Sequence, residues 1–285
     1  MDYERFLVRS GQKVRLQRYH PGFTSGYKDK EDAHNKLQQD IELMAALQDK
    51  LYASRQCAVL IIFQGIDTSG KDSAIKHVMS GLNPQGVQVS SFKEPSREEL
   101  SHDFLWRAAR ALPGRGYIGI FNRSYYEDVL VVRVHRQALA AEGVAAASRS
   151  LWKERYQDIN NFERHLARSG THILKFFLHL SRGEQRRRLL ERIEDRSKNW
   201  KFSASDIQER GYWPRYQHAF EEMLSHTSTE SAPWYIIPAD HKWFTRVAVA
   251  DVVVSKLESL KLRYPQLDSR QRAELAQAAR VLKNG

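Results

Sequence analysis

The stretch that most constrains the fold of this chain is residues 58–78, AVLIIFQGIDTSGKDSAIKHV. An apolar, β-branched run is followed by Gly65, Gly70 and Lys71 in the spacing G-x-x-x-x-G-K, and then by a helix-compatible segment. Strand, glycine loop and helix in this order predict a phosphate-binding loop. The loop and the helix start offer backbone N–H donors, and Lys71 offers a point charge for a phosphate oxygen. The alternative is a glycine-rich turn with an exposed lysine.

Two aspartates make this loop unusual. Asp72 follows Lys71 at the place where most phosphate loops carry the Ser or Thr that holds Mg²⁺. Asp67 lies inside the loop, and a carboxylate beside phosphates is repulsive unless a metal lies between them or it accepts a proton. We therefore interpret Asp67 as a Mg²⁺ ligand or a catalytic base, with an Asx turn as the alternative. Asp72 has the alternative of a favourable interaction with the helix dipole.

Predicted strands alternate with predicted helices, which indicates an α/β fold with a mainly parallel sheet covered on both faces. The predicted strands are residues 58–63, 87–92, 117–121, 172–180 and 234–239. The main predicted helices are residues 29–54, 96–112, 152–169, 182–194, 205–225 and 242–262. Residues 138–148 are interpreted as a surface loop or frayed helix. We expect one domain over residues 1–285, divided into a surface arm and helix (1–56), a core (57–262) and a polar helical tail (263–285).

A second polar segment follows another predicted strand. Ligands of parallel α/β sheets bind beyond the carboxyl ends of the strands, so residues 65–71 and 122–128 should meet. Asn122 stands at the strand end, where an acidic residue is usual. Arg123 and Arg133 are candidate phosphate ligands, and a structural ion pair is the alternative for Arg123.

The acidic residues of this segment come later than expected, at Glu127 and Asp128. Either of them, together with Asp67, offers the oxygen ligands that Mg²⁺ prefers. The alternative is an ordinary solvated turn of helix.

The helix predicted at residues 182–194 is very basic. Three arginines recur every four residues and share one face: Arg188, Arg192 and Arg196. Three apolar residues are expected to pack inward: Leu189, Leu190 and Ile193. Lys198 and Lys201 then flank Trp200, and we predict a helical lid over residues 182–225 that closes on phosphates and excludes water. A solvated basic face is the alternative. Aromatic residues among lysines also suit single-stranded nucleic acid, but no RNA-binding or helix-turn-helix signature is present.

The composition favours one class of binding partner but does not identify the partner itself. The net charge of +11 favours a polyanion. The single cysteine, Cys57, excludes an intrachain disulfide, and the histidines lack the spacing of zinc ligands. Apolar runs are far shorter than the roughly 20 residues that span a bilayer, and no signal peptide is visible. We therefore expect a cytoplasmic protein with no membrane partner.

Several long motifs in this chain resemble the polyphosphate kinase 2 family. The resemblance covers roughly residues 30–262 and rests on GIDTSGKDSAIKHVMSGLNPQG (65–86), FLWRAARALP (104–113), IFNRSYYEDVLVVRVH (120–135), FERHL (162–166), KFFLHLS (175–181), NWKFSASD (199–206) and APWYIIPADHKWF (232–244). Asp72 and Asn122 resemble the family subgroup, class III-like, that phosphorylates both AMP and ADP. Tyr125 and Asn199 depart from the family pattern, which has histidine and arginine there.

The resemblance implies a P-loop kinase-like three-layer α/β/α sandwich with a helical lid. It implies Mg²⁺-dependent, in-line and reversible phosphoryl transfer from inorganic polyphosphate to AMP and ADP, without a covalent enzyme intermediate and with Mn²⁺ as a substitute metal. By position, Asp67 and Glu127 lie near acceptor and metal, with Asp128 as a further metal ligand. Lys71 is the phosphate-loop lysine and Arg123 is the arginine of the second motif, and with Asp67 and Glu127 they are the implied catalytic residues.

Further candidates complete the expected site. For phosphate and polyphosphate they are Gly65, Gly70, Lys76, Arg133, Arg188, Arg192, Lys198 and Lys201. For the nucleotide they are Asn83 and Lys93, with Asp67 and Glu127. The expected partners are inorganic polyphosphate, AMP, ADP, ATP and further copies of the chain in a homo-dimer or homo-tetramer, but no nucleic acid. Alternative functions are an ATP-dependent nucleoside monophosphate kinase and a non-catalytic polyanion-binding protein.

Overall fold

One six-stranded sheet organises the protein, for which a computed structural model describes residues 3–141 and 150–284. The strands are β1 Leu7–Val8, β2 Ala58–Gln64, β3 Val87–Ser91, β4 Ile118–Asn122, β5 Thr171–His179 and β6 Trp234–Pro238. Their spatial order is β1-β6-β5-β2-β4-β3, and every pairing is parallel except that of β1 with β6. The predicted mainly parallel sheet is therefore confirmed.

The central strand β2 carries the strongest sequence signal because it is buried along its whole length. It pairs with β4 on one side and β5 on the other. A parallel strand covered on both faces reads as an unbroken apolar run rather than as an alternating one. The Ala58–Phe63 run therefore predicted both the strand and its place in the sheet interior.

Helices cover both faces of the sheet. They are α1 Lys30–Ser54, α2 Lys71–Val78, α3 Arg97–Leu100, α4 Trp106–Arg110, α5 Glu127–Val134, α6 Ala138–Ala141, α7 Leu151–Arg168, α8 Arg182–Glu194, α9 Ala204–Gly211, α10 Trp213–Thr227, α11 Lys242–Ser259 and α12 Ser269–Asn284. Helices α1, α2 and α11 pack together as one layer, and α5, α7 and α10 pack together as another. The result is the expected α/β/α sandwich.

Two predicted helices are each divided in the structure. The helix predicted at residues 96–112 is α3 followed by α4, and Ser96 and Glu99 form a capping box at the start of α3. The helix predicted at residues 205–225 is α9 followed by α10, with Pro214 in the first turn of α10. Proline lacks the N–H that a continuous helix needs, so the chain restarts there. Ser203 caps α9 by accepting a hydrogen bond from Ser205 N–H, so the helix begins one residue before the predicted start.

The N-terminal arm is more than a surface segment. Phe6, Val8, Val14 and Leu16 are buried, and β1 extends the sheet at β6. The backbone N–H of Val14 donates to Ser225 Oγ, which fixes the arm against α10. The arm is thus part of the core. Of the segment predicted as a loop or frayed helix, α6 is helical, and residues 142–149 lie outside the described residues.

None of the helices within residues 3–141 and 150–284 is both long enough and apolar enough to cross a bilayer.

Helix α1 offers a test of how the outer layer is stabilised. Asp29 caps it by accepting hydrogen bonds from the N–H groups of Glu31 and Asp32, and α1 packs on α11. Asp29→Ala should lower the free energy of unfolding by about 1 kcal/mol and Tm by about 2–4 °C. Asp268→Ala is the control, because Asp268 accepts from Gln271 N–H beside α12, which buries no side chain. Equal shifts in Tm for the two variants would contradict this account of α1.

Candidate active site

The phosphate loop, residues 65–71, begins where β2 ends. Gly65 has φ 154°, and a Cβ there would lie 2.7 Å from Ser69 Oγ and 2.9 Å from the carbonyl oxygen of Leu178. A side chain at this position would therefore displace the loop from the neighbouring strand β5. Thr68 has φ 67°, a left-handed conformation that is uncommon for a β-branched residue. The loop thus holds a strained backbone, as functional loops often do.

Lys71 starts α2 and is buried. Its Nζ donates to the carbonyl oxygen of Gly65 at 2.7 Å and lies 3.4 Å from that of Ile66. Burial, and secondarily the charge of Arg123, lower the pKa of Lys71 to about 8. A phosphate oxygen entering the loop would compete with these carbonyl oxygens for the ammonium group, and its negative charge would stabilise the cationic form of the lysine.

Arg123 joins the phosphate loop to the segment that follows β4. The sheet register places Phe63 of β2 beside Asn122 of β4, and Arg123 N–H donates to Phe63 O at 3.0 Å. The Arg123 guanidinium donates to Asp67 Oδ1 and, at 2.9 Å, to Glu127 Oε2. The carboxylate of Glu127, and after it that of Asp67, raises the pKa of Arg123. The expectation that the two polar segments meet is confirmed.

Asp72, which follows the loop lysine, contacts Asn122 at the end of β4. Asn122 Nδ2 donates to Asp72 Oδ1 at 2.7 Å. The hydrogen bond fixes the first turn of α2 to the carboxyl end of β4. It also explains why an amide suits position 122, because a carboxylate there would repel Asp72.

Helix α8 is attached to the phosphate loop by Arg188, which is buried with 3% of its surface exposed. Its guanidinium donates to the carbonyl oxygens of Thr68, Ser69, Ala239 and Asp240, and to Glu184. Gln185 adds a weaker contact, with Nε2 3.3 Å from the carbonyl oxygen of Asp67. The N–H groups of Arg188 therefore already serve the protein, and we interpret Arg188 as a residue that holds the phosphate loop; its predicted contact with polyphosphate stays a prediction.

The three other basic residues predicted for the lid, Arg192, Lys198 and Lys201, line the cavity. Arg192 pairs with Asp206 at 3.2 Å. Lys198 pairs with Glu191 and Asp195. Lys201 is exposed, with Nζ 5.0 Å from the centre of the Trp200 ring.

The apolar side of α8 differs from its prediction. Leu189 is buried as expected, but Leu190 and Ile193 are 43% and 48% exposed. Arg188 occupies much of the inward face instead. Because Arg188 and Leu189 face the protein, the next position along the helix points outward.

A cavity of about 1320 Å³ lies between the phosphate loop, the segment after β4 and the lid helices. Most of the predicted site residues line it: Asp67, Gly70, Lys71, Lys93, Arg123, Glu127, Asp128, Arg188, Arg192, Lys198 and Lys201. The shared location supports one reaction site rather than separate ones.

Three predicted ligands lie elsewhere and are corrected. Lys76 is exposed on α2 and does not line the cavity. Asn83 precedes β3, at the opposite end of the strand from the site, and its side chain accepts from Gln85 N–H. Arg133 points toward α7, where it donates to Tyr156 Oη at 2.6 Å. Sequence proximity to a motif did not determine which side of the element each residue would occupy.

Sequence reasoning also missed residues that line or support the cavity. Arg107 reaches it from α4, and Arg155 reaches it from α7. Arg107 lies within the motif FLWRAARALP, which could have identified it, whereas Arg155 lies outside the quoted motifs and has no local signal. Gln185 lies six residues beyond β5, so the strand-end rule alone could have identified it.

The expected metal ligands are only partly assembled. Asp67 and Glu127 meet through Arg123, whereas the Asp128 side chain is buried in α5. Within residues 3–141 and 150–284, no group of three or more His, Cys, Asp or Glu side chains could hold a metal ion by itself. Two carboxylates facing phosphates nevertheless fit Mg²⁺, which commonly takes one or two protein carboxylates and completes its shell with water and phosphate oxygens.

A phosphate loop after the central parallel strand, a buried loop lysine, and an arginine from the adjacent strand define a P-loop kinase-like phosphotransferase. Comparison with known proteins identifies the family: the model of polyphosphate kinase 2 matches residues 27–265. The chain belongs to the polyphosphate kinase 2 family.

Similar proteins agree over almost the whole chain. It is 50% identical over 282 residues to the ADP-polyphosphate phosphotransferase of Rhodopseudomonas palustris, covering 98% of each protein. It is 43% identical over 264 residues to the AMP/ADP-polyphosphate phosphotransferase of Meiothermus ruber, covering 92% of this chain and 96% of that protein. The crystal structure of polyphosphate kinase 2 from Arthrobacter aurescens TC1 matches with a TM-score of 0.88 at 40% identity, covering 96% of this chain and 95% of that one.

Arg188 and Arg192, one helical turn apart, allow a matched test of whether Arg188 holds the phosphate loop. Arg188→Ala should lower the free energy of unfolding by about 2–3 kcal/mol, because it leaves buried acceptors of a charged donor unsatisfied. Arg192→Ala should cost less than about 1 kcal/mol, because its ion pair is partly exposed. Urea unfolding measures both losses. Similar small losses would show that Arg188 does not hold the phosphate loop.

Proposed function

We propose that this protein transfers a phosphoryl group from inorganic polyphosphate to ADP and AMP, making ATP and ADP, and that the reaction is reversible. The observation that carries the proposal is the Asp67–Arg123–Glu127 arrangement beside the Lys71 loop. It places two cations and two hard-oxygen groups at one phosphate site. Family membership and the activities named for the similar proteins support the choice of polyphosphate as donor.

The chain's own residues supply positioning and charge. The phosphate loop would hold the donor phosphate through its backbone N–H groups and Lys71, and Arg123 would neutralise charge that develops on the transferred group. Arg123 would then exchange part of its bonding to Asp67 and Glu127 for phosphate oxygens. Holding donor and acceptor in line removes much of the entropic cost of the reaction.

Mg²⁺ fits the site as part of the proposal. When bound, it would neutralise phosphate oxygens and orient them, which a pair of carboxylates alone cannot do. Asp67 and Glu127 are the residues that would hold it, and Mn²⁺, which also suits oxygen ligands, would substitute. Asp128 is a weaker ligand candidate because its side chain is buried.

The proposal includes both acceptors, AMP and ADP, because Asp72 and Asn122 resemble the subgroup that uses both. The named activities of similar proteins include ADP alone and AMP with ADP. A cytoplasmic homo-dimer or homo-tetramer is also proposed, on the family resemblance.

The deciding experiment uses purified protein, Mg²⁺, nucleotide-free long-chain polyphosphate and either ADP or AMP, with the nucleotides separated by chromatography over time. We expect ATP from ADP and ADP from AMP in proportion to polyphosphate. Lys71→Ala should lower turnover by orders of magnitude, and Lys76→Ala, its exposed neighbour on α2, should not. If ATP forms from ADP but no ADP forms from AMP, the protein does not use AMP as an acceptor. Product formed only when ATP is added would favour a monophosphate kinase, and salt-sensitive binding without turnover would favour a polyanion-binding protein.

The lowered pKa of Lys71, about 8 against an ordinary 10.5, predicts a pH dependence. Phosphate binding needs the ammonium form, so kcat/KM for polyphosphate should fall as the pH rises through about 8, because kcat/KM reports the free enzyme. The fall in kcat should occur at a higher pH than the fall in kcat/KM, because bound phosphate stabilises the ammonium form of Lys71. Rates at limiting and saturating polyphosphate measure the two profiles. Lys71→Arg is the control, because a guanidinium stays charged; an unchanged fall in that variant would assign the titration to another group.

A further inference from the structure

A buried ionic network joins β5, α7 and the turn before α5, and its residues are not among those that line the cavity. Lys175 of β5 and Glu163 of α7 are both fully buried, and Lys175 Nζ lies 2.6 Å from Glu163 Oε2. The two residues come from the motifs FERHL and KFFLHLS, to which the reaction as described gives no role. Burial lowers the pKa of Lys175, and the Glu163 carboxylate opposes that effect.

Two tyrosines complete the network. Tyr125 Oη and Tyr126 Oη each donate to Glu163 Oε1 at 2.8 Å. Lys175 Nζ also donates to Tyr126 Oη at 2.8 Å and to the carbonyl oxygen of Thr227 at 2.7 Å. Each partner is thus satisfied by charge-assisted hydrogen bonds, which are shorter and stronger than neutral ones.

The tyrosines connect this network to the site. Tyr125 and Tyr126 are consecutive residues between Arg123 and Glu127, the two residues whose ion pair faces the phosphate loop. Arg123 has φ 63°, so its backbone occupies a sparsely populated conformation that surrounding contacts must maintain. Ser124 Oγ supports the turn from within by accepting from Tyr126 N–H.

Stability alone does not account for a buried ion pair. Removing both charges from water costs several kcal/mol per ion, and replacing such a pair with well-packed apolar residues is often neutral or stabilising. The pair instead fixes the positions of the groups that bind to it. Glu163 Oε1 accepts hydrogen bonds from both tyrosine hydroxyl groups. Lys175, on β5, holds Glu163 in place and also donates to the carbonyl oxygen of Thr227. Both hydroxyl groups belong to the turn that carries the catalytic arginine.

We propose that Glu163 and Lys175 are positioning residues for phosphoryl transfer, which hold the turn of Tyr125 and Tyr126 so that Arg123 and Glu127 stay aligned with the phosphate loop. This inference rests on the proposed function. It gives Tyr125 a defined role, since its hydroxyl contributes one of the two bonds that anchor the turn. The network acts through Arg123 and touches neither substrate.

The test is a double variant, Glu163→Gln with Lys175→Met, in which both charges are removed and the volumes are nearly kept. Because no lone buried charge remains, we expect Tm within a few degrees of the wild type. We expect kcat with polyphosphate and ADP to fall about 10- to 100-fold, the range for a displacement of about 1 Å. KM for both substrates should stay within about twofold, since the binding groups of the cavity remain.

Lys36→Met is the matched control. Lys36 pairs with Asp40 and, at 2.8 Å, with Asp251, in the layer of α1 and α11 on the other face of the sheet. This variant should lower Tm and leave kcat of the folded protein unchanged. A kcat loss in the control equal to that in the double variant would show that any disturbed ion pair has this effect, and would overturn the inference.

Tyr125→Phe and Tyr126→Phe decide the question if the double variant does not fold, because each removes one hydroxyl and keeps both charges. We expect kcat to fall at least about threefold in each, with KM retained. If the wild-type protein is active and both tyrosine variants have the same kcat as the wild type, the positioning role is overturned. An inactive wild-type protein would instead overturn the proposed function, and this inference with it.

Discussion

The guanidinium of Arg123 between Asp67 and Glu127 is the interaction on which the site depends. Two carboxylates next to a phosphate-binding loop would repel each other and the substrate, and one bidentate cation compensates both. The pairing exists because β2 and β4 are neighbours in the sheet, so that the chain leaves both strands at the same level. In the proposed reaction, a substrate phosphate would take over part of the hydrogen bonding that Arg123 now gives to the two carboxylates.

Two buried cations near Arg123, Lys71 and Arg188, form hydrogen bonds with the protein backbone in this structure. Arg188 and Lys71 both donate to carbonyl oxygens of the phosphate loop, the first from outside and the second from within. Lys71 can exchange its bonds for phosphate because only two carbonyl oxygens hold it, whereas Arg188 has five acceptors on three segments of the chain. The base of α8 is consequently fixed, and a closing motion of the lid would involve residues beyond it, toward Lys198 and Lys201.

The fold could largely be predicted from the sequence because its signals are local: the buried run of β2, the glycine spacing after it and the helical period of α1. The strand-end rule then brought Asp67 and Arg123 together. Spacing could not separate Arg188 from Arg192, since both lie on one helical face and only the packing of α8 decides which is buried. The Glu163–Lys175 pair was likewise beyond prediction, because it joins elements whose adjacency the sequence does not state.

The charge of the cavity bears on what form of substrate it accepts. Ten cationic and nine acidic side chains line it, so its formal charge is close to neutral although the chain carries +11. A bare polyanion gains little from such a surface, whereas a polyphosphate with bound Mg²⁺ brings cations for the acidic groups and anions for the basic ones. The balanced lining thus supports the proposal that polyphosphate binds together with Mg²⁺. The remaining positive charge of the chain lies outside the cavity, where it would attract a long polyanion before any phosphate reaches Lys71.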